Sequence, residues 1–299
     1  MVVSIYSQIN ANRKKTYFIM VFFIVFIAFI TYIFGKVLGY GGSFVGIALI
    51  VSGMMTWSSY YYGDKIILGL SGAREADRKT DFNFYTIAEN IAIGAGIPKP
   101  KLFVIEDSAP NAFATGRDPQ HAVVCATRGI LEKLDRHELE GVIAHEMSHI
   151  QNYDTRWMAV VSILVGTVAF LSDWFMRSLW WGGGRRRDDR NGGGILIILG
   201  IFFAILTPII ATLIQFSVSR KREFLADASG SLITRNPKAL ALALEKISQD
   251  KEVLEAATNA TAHLYIINPF KDKHFTAWFS SLFDTHPPIE ERIKILRSM

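Results

Sequence analysis

The sequence predicts an α+β protein that is mainly helical and lies in a membrane, with four hydrophobic helices in two hairpins and a small β-sheet. Three observations predict this class. Half of the 299 residues are hydrophobic, and the mean hydropathy of +0.25 is high for a soluble protein. The apolar residues are concentrated in long uncharged blocks. Between these blocks lie polar segments with helical spacing and short strand-like runs.

The distribution of charge indicates the surroundings of the chain. The formal net charge is +5, and the basic residues flank the apolar blocks. This favours a membrane surface over nucleic acid as partner, and no nucleic-acid-binding motif is present. The single cysteine, Cys125, excludes an intrachain disulfide framework and is typical of a reducing compartment. We interpret Cys125 as a core residue rather than a nucleophile.

The first predicted unit, residues 1–62, is an N-terminal tail followed by a transmembrane hairpin. Residues 17–34 carry no charge, and as a helix they would reach about 27 Å, close to the thickness of a bilayer core. A second apolar run over residues 37–57 follows at once, which makes a cleaved signal peptide the weaker alternative. Basic residues at 13–15 precede the first span, so we expect the N-terminus and the chain after Trp57 to face the cytoplasm.

The second unit, residues 63–156, is polar and carries mixed secondary structure. Helical spacing followed by glycines and a proline predicts a helix over residues 81–93. A D-x-x-E capping box predicts that a longer helix begins at Asp135. Apolar runs rich in β-formers predict three strands, over residues 101–106, 111–116 and 121–127.

The helix that begins at Asp135 contains the pattern H-E-x-x-H at residues 145–149. His145 and His149 are four residues apart, so both imidazoles lie on one helical face and can reach one metal ion. Glu146 stands beside them and can polarise a water at the metal. A catalytic zinc site needs a third protein ligand and an open position, so one more ligand is expected from elsewhere.

The third unit, residues 157–218, is predicted to be a second hydrophobic hairpin. Residues 195–218 form an uncharged run long enough to span a bilayer, and a Gly- and Arg-rich link occupies residues 182–194. If both helices span, the arginines of this link lie outside the cytoplasm, against the positive-inside tendency. The alternative therefore stands that this hairpin enters the membrane only partly or not at all.

The fourth unit, residues 219–299, is expected to supply the third ligand. The helix of His149 leads into the hairpin, and a helix beginning near residue 219 leaves it. Residues of these two helices that lie at equal distances from the membrane should therefore face each other. His149 lies about 12 Å from the hairpin boundary and Glu223 about 7 to 8 Å, which agrees within the error of helix ends. Asp227 follows one turn later on the same face and is predicted to hydrogen-bond a ligand histidine.

Further helices are predicted in this fourth unit. Asn236 and Pro237 are typical of a helix start, and this helix should run to about residue 248. Residues 252–257 are a candidate for another helix. A final helix is expected to begin at the T-H-P-P sequence of residues 285–288 and to run to Arg297.

Four segments, in this order and with two hydrophobic hairpins, resemble the HtpX family of membrane zinc metalloproteases. They are N-A-F-A-T-G at residues 111–116, H-E-M-S-H at 145–149, S-R-K-R-E-F-L-A-D at 219–227 and H-P-P at 286–288. The resemblance covers nearly the whole chain. It implies a gluzincin-type catalytic domain built from residues 63–156 and 219–299. It also implies one Zn²⁺ per chain, with His145, His149 and Glu223 as ligands and Glu146 as general base.

The same resemblance implies how a substrate is held. The residues Asn111, Ala112, Phe113 and Ala114 would form an edge strand that binds an extended peptide by backbone hydrogen bonds. By similarity to the related CAAX-processing proteases, Asn111 and His286 would face the scissile carbonyl and stabilise its oxyanion. The alternative for His286 is a capping position before the final helix.

The expected function is that of a zinc endopeptidase in the cell membrane, with several spans and its catalytic domain in the cytoplasm. The family implies stress-related quality control, with damaged membrane proteins as substrates. An intramembrane protease and a CAAX-type protease are alternatives within the enzyme class. A membrane scaffold or transporter with a structural metal is the alternative outside it. The sequence leaves open the identity of the substrates, the oligomeric state and the role of the 182–194 link.

Overall fold

The structure is a computed structural model, which describes residues 5–37, 43–164, 166, 220–258, 261–267, 269 and 287–299. Most of the predicted second hairpin, including the 182–194 link, lies outside these residues. His286 lies outside them as well.

The described part of the chain is mainly helical. Its helices are α1 (Ile5–Val37), α2 (Ser43–Leu70), α3 (Phe82–Ala95), α4 (Arg128–Lys133), α5 (Arg136–Gln151), α6 (154–164), α7 (Arg220–Thr234), α8 (Pro237–Gln249) and α9 (Ile289–Arg297). Its strands are β1 (Arg74–Glu75), β2 (Lys101–Ile105), β3 (Ala112–Thr115) and β4 (Val123–Thr127), with 3-10 turns at Pro119–His121 and Ala262–Leu264.

The three predicted strands form a small mixed sheet with a short additional strand. The strand order is β1-β2-β4-β3, with β2 and β4 parallel and the other two pairs antiparallel. Each strand is slightly shorter than predicted. Strand β1, which has two residues, and helix α4 were not predicted from the sequence. The candidate helix at residues 252–257 is wrong, because no helix forms there.

The sheet separates two layers of apolar packing, because successive side chains of a strand point to opposite faces. Val104 and Val124 face a core shared with α3, α5 and α8. Phe113 and Cys125 face a second cluster, which contains residues of α1, α2 and α6. All five residues of β4 are buried as a result. Cys125 is therefore a core residue, as expected, and burial raises the pKa of its thiol.

Helix α5 lies at the centre of this packing, and its start is set by the predicted capping box. The Asp135 carboxylate accepts a hydrogen bond from the Glu138 backbone N–H at 2.9 Å, and the Glu138 carboxylate accepts from the Asp135 N–H at 2.8 Å. Every residue from Leu139 to Ile150 except Glu140 is buried. Its polar residues therefore need partners inside the protein.

Two glycines allow other helices to approach α5 closely. A Cβ added at Gly230 of α7 would lie 2.9 Å from the backbone nitrogen of His145. A Cβ at Gly141 of α5 would lie 3.0 Å from the backbone of Leu240 on α8. Helix α7 thus approaches α5 closely beside the first histidine of the H-E-x-x-H motif.

Helices α1 and α2 pack against each other and expose many large apolar side chains. On α1 these are Tyr17, Phe18, Val21, Val25, Phe29 and Tyr32, and on α2 they include Ile47, Ile50, Met54 and Trp57. Among the residues described, no helix satisfies both the length and the apolarity that a membrane span requires. The four spans therefore stay a prediction.

We expect Gly230→Ala to destabilise the fold by about 1–3 kcal/mol, because the new methyl group would contact backbone atoms that cannot move aside cheaply. Thermal unfolding of the full chain in detergent measures this. The matched control is Gly69→Ala on α2, an exposed glycine with nothing within 4 Å of an added Cβ. Equal unfolding temperatures for the two variants would contradict the close crossing.

Candidate metal centre

The structure brings together the three side chains predicted as metal ligands. His145 and His149 come from α5 and Glu223 from α7, and one ligand atom of each lies within 4.8 Å of the others. The two Nε2 atoms are 3.2 Å apart. Glu223 Oε2 lies 3.7 Å from His145 Nε2, and Glu223 Oε1 lies 3.5 Å from His149 Nε2. All three residues are at most 5% exposed.

The far side of each imidazole is held by a carboxylate. His145 Nδ1 lies 2.9 Å from Asp227 Oδ1, and His149 Nδ1 lies 3.2 Å from Asp154 Oδ2. Donation of each Nδ1–H to its carboxylate would leave the Nε2 lone pair of each ring for a metal ion. Asp227 thus lies where it was predicted. Asp154 was missed in this role, although it follows the motif by only five residues.

A buried arginine binds the carboxylate that lies beside His145. Arg292 of α9 is completely buried and donates to both oxygens of Asp227, at 2.9 and 2.8 Å. Its Nη1 lies 3.5 Å from Glu223 Oε2 and also donates to the carbonyl oxygen of Ile266. Sequence reasoning missed Arg292. The available signal was its position on the apolar face of the final helix, between Ile289 and Leu296 at helical spacing.

Burial and nearby charges have opposing effects on the pKa values of the side chains in this cluster. Burial opposes the charged form of Asp227, but Arg292 and the hydrogen bond from His145 outweigh it and lower the pKa to about 2. Burial also lowers the pKa of His145. At His149 the burial effect is exceeded by Asp154 and Glu223, which raise its pKa to about 9. The carboxylates around His149 therefore favour a positive charge at that ring.

The donor set fits a small divalent cation. Zinc–nitrogen bonds are about 2.0–2.1 Å long, so two nitrogens on a tetrahedral zinc lie roughly 3.3–3.4 Å apart. The observed separation of 3.2 Å between the Nε2 atoms is close to this value. Within the described ranges the cluster comprises two imidazoles and one carboxylate. This number of protein ligands leaves a coordination position open.

Glu146 lies beside this cluster on the same helix and is 2% exposed. Burial raises its pKa to about 7, and the backbone of Ala114 on β3 favours its charged form. A carboxylate with this pKa can accept and return a proton near neutral pH. The site can thus combine a bound cation with a general base.

Strand β3 lies beside this site, and its outer edge is partly paired with the chain itself. Asn111 O accepts from Thr127 N at 2.9 Å on the β4 side, so alternation directs the backbone of Ala112 to the outer edge. There, Ile266 N donates to Ala112 O at 3.0 Å, and Asn111 Nδ2 donates to Ile267 O at 3.0 Å.

The four residues predicted to bind substrate are therefore buried in this form. Asn111, Ala112, Phe113 and Ala114 are at most 4% exposed. The pairing of residues 266 and 267 with β3 was not visible in the sequence, because the segment that contains them has no strand pattern.

Comparisons with known proteins show the family to which the chain belongs. Residues 79–299 match the family described as peptidase family M48. The chain is 44% identical over 299 residues to a "Protease HtpX homolog" of Caldanaerobacter subterraneus subsp. tengcongensis, covering 99% of this chain and 98% of that protein. It is 41% identical over 294 residues to a "Protease HtpX homolog" of Tropheryma whipplei, with 98% of each chain covered.

Among solved structures, the crystal structure of S. mikatae Ste24p is similar with a TM-score of 0.44 and 19% identity. The match covers 91% of this chain and 61% of that one. The family match and the two relatives show that the chain belongs to peptidase family M48, among its HtpX-type proteases, and is a metalloprotease that hydrolyses peptide bonds.

Proposed function

We propose that the protein is a membrane-anchored, zinc-dependent endopeptidase whose centre is formed by His145, His149 and Glu223. The observation that carries this proposal is the convergence of two oriented imidazoles and one carboxylate on a single point, with Glu146 beside it. Nitrogen and carboxylate ligands in this number are typical of catalytic zinc. A structural zinc site is normally closed by four protein ligands, which makes a scaffold with a structural metal the weaker alternative.

The chemistry divides between the metal and the side chains. When bound, zinc supplies a Lewis acid that polarises the scissile carbonyl and activates water. Glu146 accepts the proton of the attacking water at a carboxylate oxygen and passes it to the nitrogen of the leaving amine. Asp227 and Asp154 hold the proton on Nδ1 of His145 and His149 and so fix the orientation of both rings.

Substrate would bind as an extended strand along the outer edge of β3, which places its backbone next to Glu146. Ala112 O accepts from Ile266 N in this structure, so a substrate N–H can reach that oxygen only after Ile266 has moved away. Opening of the 265–267 segment is thus part of substrate entry. We assign oxyanion stabilisation to Asn111 and His286 on the strength of the family resemblance.

Attachment to the cell membrane is supported by the apolar surface of α1 and α2. Many large apolar side chains of these two helices are exposed, and large exposed apolar surfaces are typical of membrane or protein contacts. Trp57 contacts both Tyr61 and Tyr62 on α2, and such aromatic clusters are common at membrane interfaces. The cytoplasmic orientation rests on the basic residues before the first apolar run. Damaged membrane proteins are the proposed substrates, since anchoring holds the site near them.

We expect Glu146→Gln to fold and bind zinc normally but to lose proteolysis by about 10²–10⁴-fold, because the amide cannot accept the proton. Cleavage of an unfolded reporter protein and the zinc content of the purified enzyme measure the two properties. Glu140→Gln on the same helix is the control, since Glu140 is partly exposed and pairs with Arg136. Full activity of Glu146→Gln in a clean preparation would exclude the assigned base.

We expect Glu223→Ala to lose zinc as well as activity, because two histidines alone hold the ion weakly. Metal analysis after dialysis against a mild chelator measures the loss. The control is Glu245→Ala on α8, whose carboxylate pairs with Arg297 at the surface. If Glu223→Ala keeps the zinc content of the wild type, the third ligand must lie elsewhere.

A further inference from the structure

We propose that Asn12 on α1 is a positioning residue for the metal centre, because it holds Asp154, which in turn holds the ligand His149. This inference rests on the proposed zinc site. It adds the N-terminal helix to that site, from a part of the chain outside the 79–299 range that the family match covers.

The contacts form a continuous path from α1 to the metal ligand. Asn12 is 4% exposed, and its Nδ2 donates to Asp154 Oδ1 at 2.8 Å and to the carbonyl oxygen of Asn152 at 2.9 Å. Asp154 is 3% exposed, and its other oxygen lies 3.2 Å from His149 Nδ1. Asn12 and His149 thus contact different oxygens of the same buried carboxylate.

The turn between Asn152 and Asp154 explains why an amide stands at position 12. Tyr153 has φ 60°, a left-handed conformation that is unfavourable for a residue other than glycine. A single amide NH₂ has two donors, and Asn12 directs them to the residues on both sides of Tyr153. Asn12 therefore stabilises the turn that aims Asp154 at His149.

The surroundings of Asp154 show what the loss of Asn12 would do. Arg222 Nη1 on α7 lies 3.3 Å from the same Oδ1 that Asn12 binds. Without the amide, the carboxylate can rotate towards Arg222 and away from the imidazole. The Nδ1–H of His149 would then lose the partner that fixes its tautomer and ring orientation. Loss of such an outer partner typically weakens metal binding 10–100-fold.

The test measures zinc affinity of the full-length protein in detergent by competition with a chromophoric chelator. We expect Asn12→Ala to weaken zinc binding about 10–100-fold. Asn12→Asp, which keeps the volume but removes both donors and adds a like charge beside Asp154, should weaken it at least as much. Thr16→Val is the matched control, because Thr16 is fully buried one turn further along α1 and its hydroxyl donates to the backbone carbonyl oxygen of Asn12, not to Asp154.

A double mutant separates positioning from general packing. If Asn12 acts through Asp154, adding Asn12→Ala to Asp154→Ala should change zinc affinity no further. The visible spectrum of the Co²⁺-substituted protein should also shift in Asn12→Ala, since it reports the geometry of the ligands. The Thr16→Val spectrum should match that of the wild type.

Wild-type affinity in both Asn12 variants would overturn the inference. So would an equal loss in Thr16→Val, or full additivity of Asn12→Ala with Asp154→Ala. None of these results would contradict the proposed zinc site itself. Failure of the proposed function has a different signature, namely that the wild type binds no zinc or that Glu223→Ala binds it as tightly.

Discussion

A cluster of buried polar groups lies where two helices cross, and the rest of the structure supplies the hydrogen-bond and charge partners that these groups require. His145, His149 and Glu223 lie between α5 and α7, and the absence of a side chain at Gly230 permits the close approach of α7 beside His145. A buried charge without a partner costs several kcal/mol, so each of these groups requires a second layer of partners. That layer is in turn held by residues distant in sequence, which are thereby tied to the crossing.

Two buried carboxylates make up this second layer, and each connects one imidazole to another helix. Asp227 links His145 to Arg292 on the last helix, and Asp154 links His149 to Asn12 on the first. The metal centre is consequently assembled from both ends of the chain. Arg292 also binds the backbone of the segment that pairs with β3, so the same residue joins the centre to the edge where substrate is proposed to bind.

The local parts of this arrangement are predictable from the sequence, and the distant parts are not. The capped helix of the motif and the three longer strands follow from spacing and capping, which are properties of neighbouring residues. Glu223 and Asp227 were placed by comparing heights on two helices joined by a hairpin. Asp154, Arg292 and Asn12 escaped prediction because their roles depend on how helices pack, and nothing in the neighbourhoods of Asp154 and Asn12 marks these two residues as buried. Amphipathic spacing around Arg292 was the one usable clue.

The most direct test of the central claim is X-ray absorption spectroscopy of the zinc-loaded, full-length enzyme. The arrangement described above predicts two imidazole nitrogens and a carboxylate oxygen at about 2.0–2.2 Å, with one further exchangeable oxygen. Mutation of Glu223 to alanine should remove one oxygen scatterer or the metal altogether. A spectrum with a single imidazole, a sulfur ligand, or four protein ligands and no exchangeable position would contradict it.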